Sequence, residues 1–223
     1  MLGIAPRTSL IVLLHVAPRT LHFARDKRQN PSMPTHLSSR FDEAFRYASA
    51  VHGGQTRSGT SAPCIGHLLG VASIVLDSGG GENEAIAALL HDAAEDHGGR
   101  ARLADIHARF GETVAAIVEA CTDSWETPRE PWIVRKRRYV EHAHRLAPDA
   151  LRVSAADKVH NAYALLRDLR EHGDKVWARY SAKPDDLLWY YESLVRAFRE
   201  AGGGPLIDEL DRIVNGIQRE IGY

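Results

Sequence analysis

The chain has 223 residues, enough for one domain with a sizeable core, and its 44% hydrophobic and 26% charged residues are those of an ordinary globular protein. The formal net charge of −1 excludes a protein-wide electrostatic field that would attract nucleic acid or a membrane surface. Cys64 and Cys121 lie far apart and outside any CxxC spacing, which argues against a disulfide framework and favours a reducing, cytoplasmic location.

The N-terminal segment is poor in acidic residues, with Asp26 as its only carboxylate. Its apolar run SLIVLLHVA is too short to span a bilayer, which needs ~20 apolar residues. A signal peptide or an Arg-rich targeting peptide is an alternative, but His15 interrupts the run and VAPRT is a poor cleavage site. We therefore predict a disordered extension over residues 1–38, with Met33 as an alternative start, and a folded domain over residues 39–223.

Apolar residues at helical spacing predict helices along almost all of the remaining chain. The first helix begins near Ser39, can be capped by Ser38 or by Ser39 itself, and carries Asp42 in its first turn. It is followed by HGGQTRSGTSAP, whose Gly, Ser, Thr and Pro content is typical of a loop. The further predicted helices span residues 66–76, 83–97, 103–121, 133–146, 148–172, 187–201 and 206–221.

Glycine and proline mark the places where these helices end or weaken. Gly98 and Gly99 can supply the left-handed conformation that ends the third predicted helix, and Gly111 loosens the middle of the fourth. Pro128 and Pro131 remove backbone donors, so SWETPREPW is predicted to be a loop. Strand-like alternation appears nowhere for long, and the predicted fold is therefore an all-α, single-domain bundle.

The segment IAALLHDAAEDHGG places four ionisable side chains directly after an apolar run. On one continuous helix, His91 and Glu95 would lie one turn apart, as would Asp92 and Asp96, so all four would share a face. Crowded carboxylates repel one another and are costly to bury unpaired, and a bound cation removes that cost. The alternative is an acidic face in water. The adjacent histidine and the apolar run favour a metal, although further ligands must come from elsewhere.

Two other segments offer the missing ligands. Asp157 emerges from the small-residue stretch VSAADKVHNAYALL, with Asn161 one turn later, and small residues let two backbones approach closely. A carboxylate there can reach a shared ion, although a salt bridge to a neighbouring arginine is an equal alternative. His67 lies near the start of the second helix, where a lone histidine is more often a cap or a core residue than a ligand. Only the combination of segments indicates a metal site.

These segments, in this order, resemble the HD-domain metal phosphohydrolases. More narrowly, they resemble the hydrolase domain of RelA/SpoT-type enzymes and the short stand-alone metazoan SpoT-homologue hydrolases. The resemblance covers about residues 41–198 and is specific because several weak motifs occur in register. The motifs are AVHGGQTRSGTSAPCIGH, AALLHDAAED, FGETVAAIVEACTD, PWIVRKRRY, AADKVHNA and LLWYY.

The resemblance implies an HD-type helical bundle that binds one divalent ion, usually manganese in this family. The implied metal ligands are His67, His91, Asp92 and Asp157. Glu95 and Asp96 match the catalytic acids that hold and activate the attacking water. The implied substrate-binding residues are Arg57 near the guanine base, Asn161 near the ribose, Tyr190 in the nucleotide pocket, and Lys158 near the phosphates. The run Arg135–Arg138 also offers positive groups, part of which we expect to be solvated surface.

In the resembling enzymes the substrate is guanosine tetra- or pentaphosphate, and the 3′-pyrophosphate is removed as one unit. We therefore expect metal-dependent hydrolysis of a small nucleotide, with neither nucleic acid nor a membrane as partner. Family members commonly have a tyrosine where this chain has Cys64 and a proline where it has Leu68, so the substrate stays open. The alternatives are NADPH or another phosphorylated nucleotide, or a catalytically silent nucleotide sensor, which Glu95 and Asp96 argue against. The sequence leaves the oligomeric state open.

Overall fold

The computed structural model describes residues 35–125 and 128–222, and within these ranges the regular structure is helical apart from one isolated bridge between Thr56 and Pro63. The helices, in chain order, are α1 (Ser39–Val51), α2 (Cys64–Asp77), α3 (Glu82–Leu90), α4 (Ala93–Asp96), α5 (Gly99–Phe110), α6 (Glu112–Cys121), α7 (Trp132–Ala143), α8 (Pro148–His172), α9 (Pro184–Glu200) and α10 (Pro205–Glu220). A 3₁₀ helix over Gly173–Arg179 connects α8 to α9. The predicted all-α class is confirmed.

The apolar run SLIVLLHVA and the alternative start Met33 both lie outside the described residues. The predicted extension over residues 1–38 lies outside the described residues except for its last four positions, which are not helical. None of the helices described combines the length and the apolar character that crossing a bilayer requires.

Local chemistry explains where several helices begin. Ser38 Oγ accepts a hydrogen bond from the backbone N–H of Arg40 at 3.2 Å, so Ser38 is the cap of α1. Prolines occupy the first positions of α8, α9 and α10, where a helix has no use for the missing N–H group. The observed helix α8 coincides with its prediction because it begins at such a proline and is capped at its C-terminal end by Gly173.

The prediction of one continuous helix over residues 83–97 is wrong, since this segment is divided into α3 and α4. The ring of His91 is hydrogen-bonded through Nδ1 to the carbonyl oxygen of Ala88, at 2.8 Å. In a continuous helix this carbonyl would pair with the backbone N–H of Asp92, so the histidine side chain competes with the helix for it. Regular helix is therefore interrupted at His91 and Asp92.

The predicted helix over residues 103–121 is also divided. Gly111 has a φ of 88°, a conformation that other residues avoid, and it separates α5 from α6 completely instead of loosening one helix. Helix α5 also begins earlier than predicted, at Gly99. The remaining helix boundaries lie within three residues of their predictions.

The longest of the described helices, α8, packs against α2, α3, α6 and α10. Ala155 and Ala156 on α8 are completely buried, and their small side chains let the neighbouring helices approach closely. Larger side chains that are also buried fill the space around them, including Leu68 of α2, Ile86 of α3 and Ile117 of α6. This packing brings the start of α2, the end of α3 and the middle of α8 together in the core.

Candidate metal centre and active site

Three of the predicted ligands meet where these helices converge. His67 lies in the first turn of α2, His91 follows the end of α3, and Asp157 lies in the middle of α8. All three are buried, and one ligand atom from each lies within 4.8 Å of the others. Oδ1 of Asp157 is 3.1 Å from Nε2 of His67 and 3.6 Å from Nε2 of His91.

The fourth predicted ligand, Asp92, stands at the same place. Its Oδ1 is 3.3 Å from Nε2 of His91, and its Oδ2 is 3.7 Å from Nε2 of His67. The side chain is about a third exposed, at 31%, so it faces the cavity while the other three close the site from the core. The structure thus brings together the two imidazoles and two carboxylates that the sequence singled out.

The buried ring nitrogens of this cluster fit a divalent cation. Within the described residues, Nε2 of His67 and Nε2 of His91 have no hydrogen-bond partner, which is costly for buried polar atoms. A backbone carbonyl only accepts, so the bond from His91 to Ala88 places a proton on Nδ1 and leaves a neutral ring's Nε2 free for a cation. Two nitrogen and two carboxylate donors form a set suited to divalent transition metals.

The electrostatics of the cluster also favour a positive charge. Burial lowers the pKa of His91, but the carboxylates of Asp92 and Asp157 outweigh it and raise that pKa to about 9. Burial would raise the pKa of Asp157, yet Lys158 and the two imidazoles hold it well below its usual range. The Asp157 carboxylate therefore remains negatively charged and stabilises positive charge beside it.

A cavity opens next to the cluster. The residues that line it are Asp92, Glu95, Cys121, Asp123, Lys136, Tyr139, Asp157, Lys158, Asn161 and Tyr190. These residues come from five helices and the loops between them, and most of them carry polar or ionisable groups. A polar cavity with ionisable groups beside a possible metal-binding cluster is a candidate active site.

The two predicted catalytic acids have different positions. Glu95 lines the cavity, and its Oε2 accepts a hydrogen bond from the backbone N–H of Asp123 at 3.3 Å. Burial, followed by the neighbouring Asp123 carboxylate, raises the pKa of Glu95 to about 7. This value is suited to proton transfer near neutral pH.

Asp96 is turned away from that cavity, to whose described lining it does not belong. Its Oδ1 accepts a hydrogen bond from Arg129 at 2.6 Å, and its Oδ2 accepts one from Gln55 at 2.8 Å. Burial would raise the pKa of Asp96, but these two hydrogen bonds and the Arg129 charge hold it below its usual value. Because Arg129 also donates to the carbonyl oxygen of Glu95 at 2.7 Å, Asp96 contacts the other acid through a shared arginine.

Three of the four predicted substrate-binding residues are linked to Asp157, a predicted metal ligand. Lys158 Nζ donates to its Oδ2, and Asn161 donates from Nδ2 to its Oδ1 at 2.6 Å. Arg57 in turn donates to the side-chain oxygen of Asn161, which places it one step further out. The fourth, Tyr190, lines the cavity, and its buried hydroxyl has no hydrogen-bond partner among the described residues.

Sequence reasoning missed Asp123, whose carboxylate is hydrogen-bonded to both Arg135 and Lys136. The sequence signal that could have indicated Asp123 is a carboxylate two residues after the end of the largely apolar helix α6. Arg135 and Lys136 turn toward the core, whereas Arg137 and Arg138 are exposed, so only half of the basic run belongs to the site. This matches the expectation that part of the run is solvated surface.

A second group of ligand-type side chains, His52, Asp96 and His97, also lies within 4.8 Å. The amide oxygen of Gln55 lies 2.7 Å from a ring nitrogen of each histidine, and the Gln55 amide nitrogen donates to Asp96. Arg129 pairs with Asp96 at 2.6 Å, whereas the buried Nε2 of His52 has no hydrogen-bond partner among the described residues. Gln55 and Arg129 hold Asp96 in place through these contacts.

Much of this chain is similar to known proteins. The HD domain family matches residues 44–187. The guanosine-3′,5′-bis(diphosphate) 3′-pyrophosphohydrolase MESH1 of Xenopus tropicalis is 37% identical over 139 residues, which cover 61% of this chain and 73% of that protein. MESH1 of Danio rerio is 34% identical over 139 residues, with 61% and 72% covered.

Among solved structures, one described as "a metazoan ortholog of SpoT" that "hydrolyzes ppGpp and plays a role in starvation responses" is similar with a TM-score of 0.68. It is 28% identical, and the match covers 84% of this chain and 99% of that one. The structure of lmo0812 from Listeria monocytogenes EGD-e is similar with a TM-score of 0.59 at 28% identity, covering 70% of this chain and 99% of that one.

Proposed function

Since the chain belongs to the HD domain family, we propose that it is a metal-dependent hydrolase that removes the 3′-pyrophosphate from guanosine 3′,5′-bis(diphosphate) or its pentaphosphate analogue. The MESH1 relatives, of which the chain covers almost three quarters, are named for this reaction. The observation that carries the proposal is the convergence of two imidazoles and two carboxylates beside a cavity lined by Glu95 and two lysines.

We propose that His67, His91, Asp92 and Asp157 hold one divalent ion, and that this ion is manganese. The mixed nitrogen and oxygen donors and the partnerless Nε2 atoms support a divalent metal, and manganese is the metal implied by the family resemblance. When bound, such an ion supplies Lewis acidity, which polarises a phosphate group and lowers the pKa of a water molecule.

Glu95 is the proposed general base. Its carboxylate lines the cavity, and its pKa of about 7 lets the ionised form accept a proton from the attacking water near neutral pH. Contacts to the backbone of Asp123, to Arg129 at 3.4 Å and to Arg135 at 3.6 Å fix its orientation. Asp96 supports this arrangement by anchoring Arg129.

Lys136 and Lys158 are the proposed phosphate-binding groups, because both line the cavity and can spread the negative charge that develops during hydrolysis. Burial alone would lower the pKa of Lys136, but Tyr190 and Asp123 outweigh it, so the ammonium group stays protonated. Asn161, Arg57 and the Tyr190 hydroxyl are proposed to contact the nucleoside.

Some wider properties of the chain are part of the same proposal. Cys64 and Cys121 are both free thiols, which supports a reducing cytoplasmic location. The partner is a small nucleotide, and residues 39–223 form the catalytic domain. These statements extend the sequence predictions and are to be tested together with the activity.

The deciding experiment incubates the purified, manganese-loaded protein with guanosine tetraphosphate, guanosine pentaphosphate, NADPH and a nucleoside monophosphate, and separates the products by ion-exchange chromatography. We expect one equivalent of pyrophosphate and a guanosine 5′-di- or triphosphate, and no product after removal of metal with a chelator. Release of orthophosphate from NADPH, with guanosine tetraphosphate left intact, would contradict the proposed substrate.

A further inference from the structure

A histidine outside the predicted site contacts one of the proposed metal ligands. Nδ1 of His160, on α8, lies 3.0 Å from Nδ1 of His67, on α2, and the two rings meet edge to face with centroids 4.8 Å apart. Two ring nitrogens at this distance share one proton, so one ring donates and the other accepts. The contact joins residues that are 93 positions apart in the chain.

The chemistry of a metal ligand decides which ring donates. A neutral imidazole that binds a cation through Nε2 carries its only proton on Nδ1. In His67 this proton points at His160, whose Nδ1 must then accept it and whose own proton must be on Nε2. His91 obtains the same tautomer from the carbonyl oxygen of Ala88, so the two imidazoles are held by different kinds of acceptor.

Helix α2 contains a glycine where His160 packs. A Cβ atom on Gly70 would lie 2.3 Å from Nε2 and 2.4 Å from Cδ2 of His160, far inside van der Waals contact. Glycine inside a helix is unfavourable relative to alanine, because it loses more backbone entropy on folding. The close approach of the His160 ring explains why the smaller residue is needed at this position.

We propose that His160 is a positioning residue for the metal centre: it fixes His67 in the tautomer that presents Nε2 to the ion, and Gly70 provides the space that its ring occupies. This inference rests on the proposed function, since it assigns His160 a role toward the same ion. His160 itself does not belong to the described lining of the cavity and need not touch the substrate.

The first test compares His160→Leu with His160→Asn, with manganese affinity measured by isothermal titration calorimetry. Leucine has no acceptor, so we expect the affinity to fall about tenfold or more, as is typical when the hydrogen-bond partner of a metal ligand is removed. Asparagine keeps an acceptor close to the position of Nδ1 and should retain most of the affinity. If His160 acted through packing alone, the leucine variant would bind manganese more tightly than the asparagine variant. That order of affinities would overturn the proposal.

The second test leaves all polar groups in place. Gly70→Ala should displace the His160 ring and weaken manganese binding to a similar extent as His160→Leu, while the double variant should lose little more than either single one. Gly66→Ala is the matched control, because it lies on the same helix and no described atom lies within 4 Å of its added Cβ. Equal affinities of the two glycine variants would contradict the proposal.

A spectroscopic readout separates this inference from the proposed function. In the zinc-loaded protein, ¹H–¹⁵N correlation spectra should show the Nδ1 proton of His67 protected from solvent exchange, and this signal should be lost in His160→Leu. If the protein binds metal in this way but does not hydrolyse guanosine tetraphosphate, the proposed function fails and the role of His160 stands. A His67 signal that is the same in both proteins would overturn the inference.

Discussion

The ring of His91 takes the carbonyl oxygen of Ala88 that the backbone N–H of Asp92 would use in a continuous helix. This hydrogen bond coincides with the interruption of the helix at His91 and Asp92, and it fixes the proton of His91 on Nδ1, the ring nitrogen that faces away from the proposed metal site. At this interruption the carboxylate of Asp92 lies beside the imidazole, with its Oδ1 3.3 Å from Nε2 of His91. The interruption of the helix and the tautomer of His91 are therefore linked to the same local hydrogen bond.

Asp92→Ala should abolish both metal binding and hydrolysis. Asp92 is the most exposed of the four proposed ligands, and its two oxygens lie 3.3 and 3.7 Å from the Nε2 atoms of His91 and His67. Metal content after dialysis, measured by mass spectrometry, and turnover of guanosine tetraphosphate check this expectation. Asp42→Ala, on the exposed side of α1, is the matched control and should behave like the unaltered protein. Full turnover in Asp92→Ala would show that the metal lies elsewhere.

Glu95→Gln should keep the metal but lower kcat by about 10²-fold or more, the usual contribution of general base catalysis. Because the ionised carboxylate accepts the proton and its pKa is about 7, kcat/KM of the unaltered protein should fall as the pH drops below about 7. That acidic limb should disappear in the variant. Metal titration shows whether the site is intact, and an unchanged pH profile would remove Glu95 from the role of base.

The four proposed metal ligands could be singled out from the sequence because they occur in short motifs. His91 and Asp92 are adjacent, and Asp157 stands in a stretch of small residues that allows close packing. The helix over residues 148–172 was predicted correctly for an equally local reason, since a proline begins it and a glycine follows it. Where one or two neighbouring residues decide a feature, the sequence is enough.

The supporting residues could not be predicted in this way. His160 and His67 are 93 positions apart in the chain, and Arg129 and Asp96 are 33 positions apart. No local sequence pattern therefore indicates either contact. Similarly, the break at His91 depends on a ring that turns back to its own helix, which hydrophobic periodicity does not register. These features arise from tertiary packing. Helical spacing alone predicts Glu95 and Asp96 on one shared face, whereas in the structure Glu95 lines the cavity and Asp96 does not belong to its described lining.

Tyr190→Phe should raise KM for the nucleotide without lowering the free energy of unfolding. Tyr190 lines the cavity, and its buried hydroxyl has no hydrogen-bond partner among the described residues, so it is free to bond a substrate. Tyr139→Phe is the matched comparison, because Tyr139 also lines the cavity but its hydroxyl is hydrogen-bonded to Ser154. That variant should lose about 1 kcal/mol of stability. Denaturant unfolding and steady-state kinetics measure both, and a destabilised Tyr190→Phe with unchanged KM would contradict the expectation.

Arg135→Gln should lower the free energy of unfolding by about 2 kcal/mol, whereas Arg138→Gln, three residues further on the same helix, should change it by less than about 1 kcal/mol. Arg135 is buried against Asp123, and removing its charge leaves this carboxylate with Lys136 as its remaining cationic partner. Arg138 pairs with Glu130 on the surface, where water screens the interaction.

Thermal or urea unfolding of both variants provides the comparison, with the same buffer and metal concentration for each. The Arg135 variant should also lose activity, because the guanidinium group lies 3.6 Å from Glu95 and helps to orient the proposed base. If both substitutions have equally small effects on stability, the ion pair between Arg135 and Asp123 contributes no more than a surface contact, and the rigid support assigned to Glu95 must come from the backbone of Asp123 and from Arg129 alone.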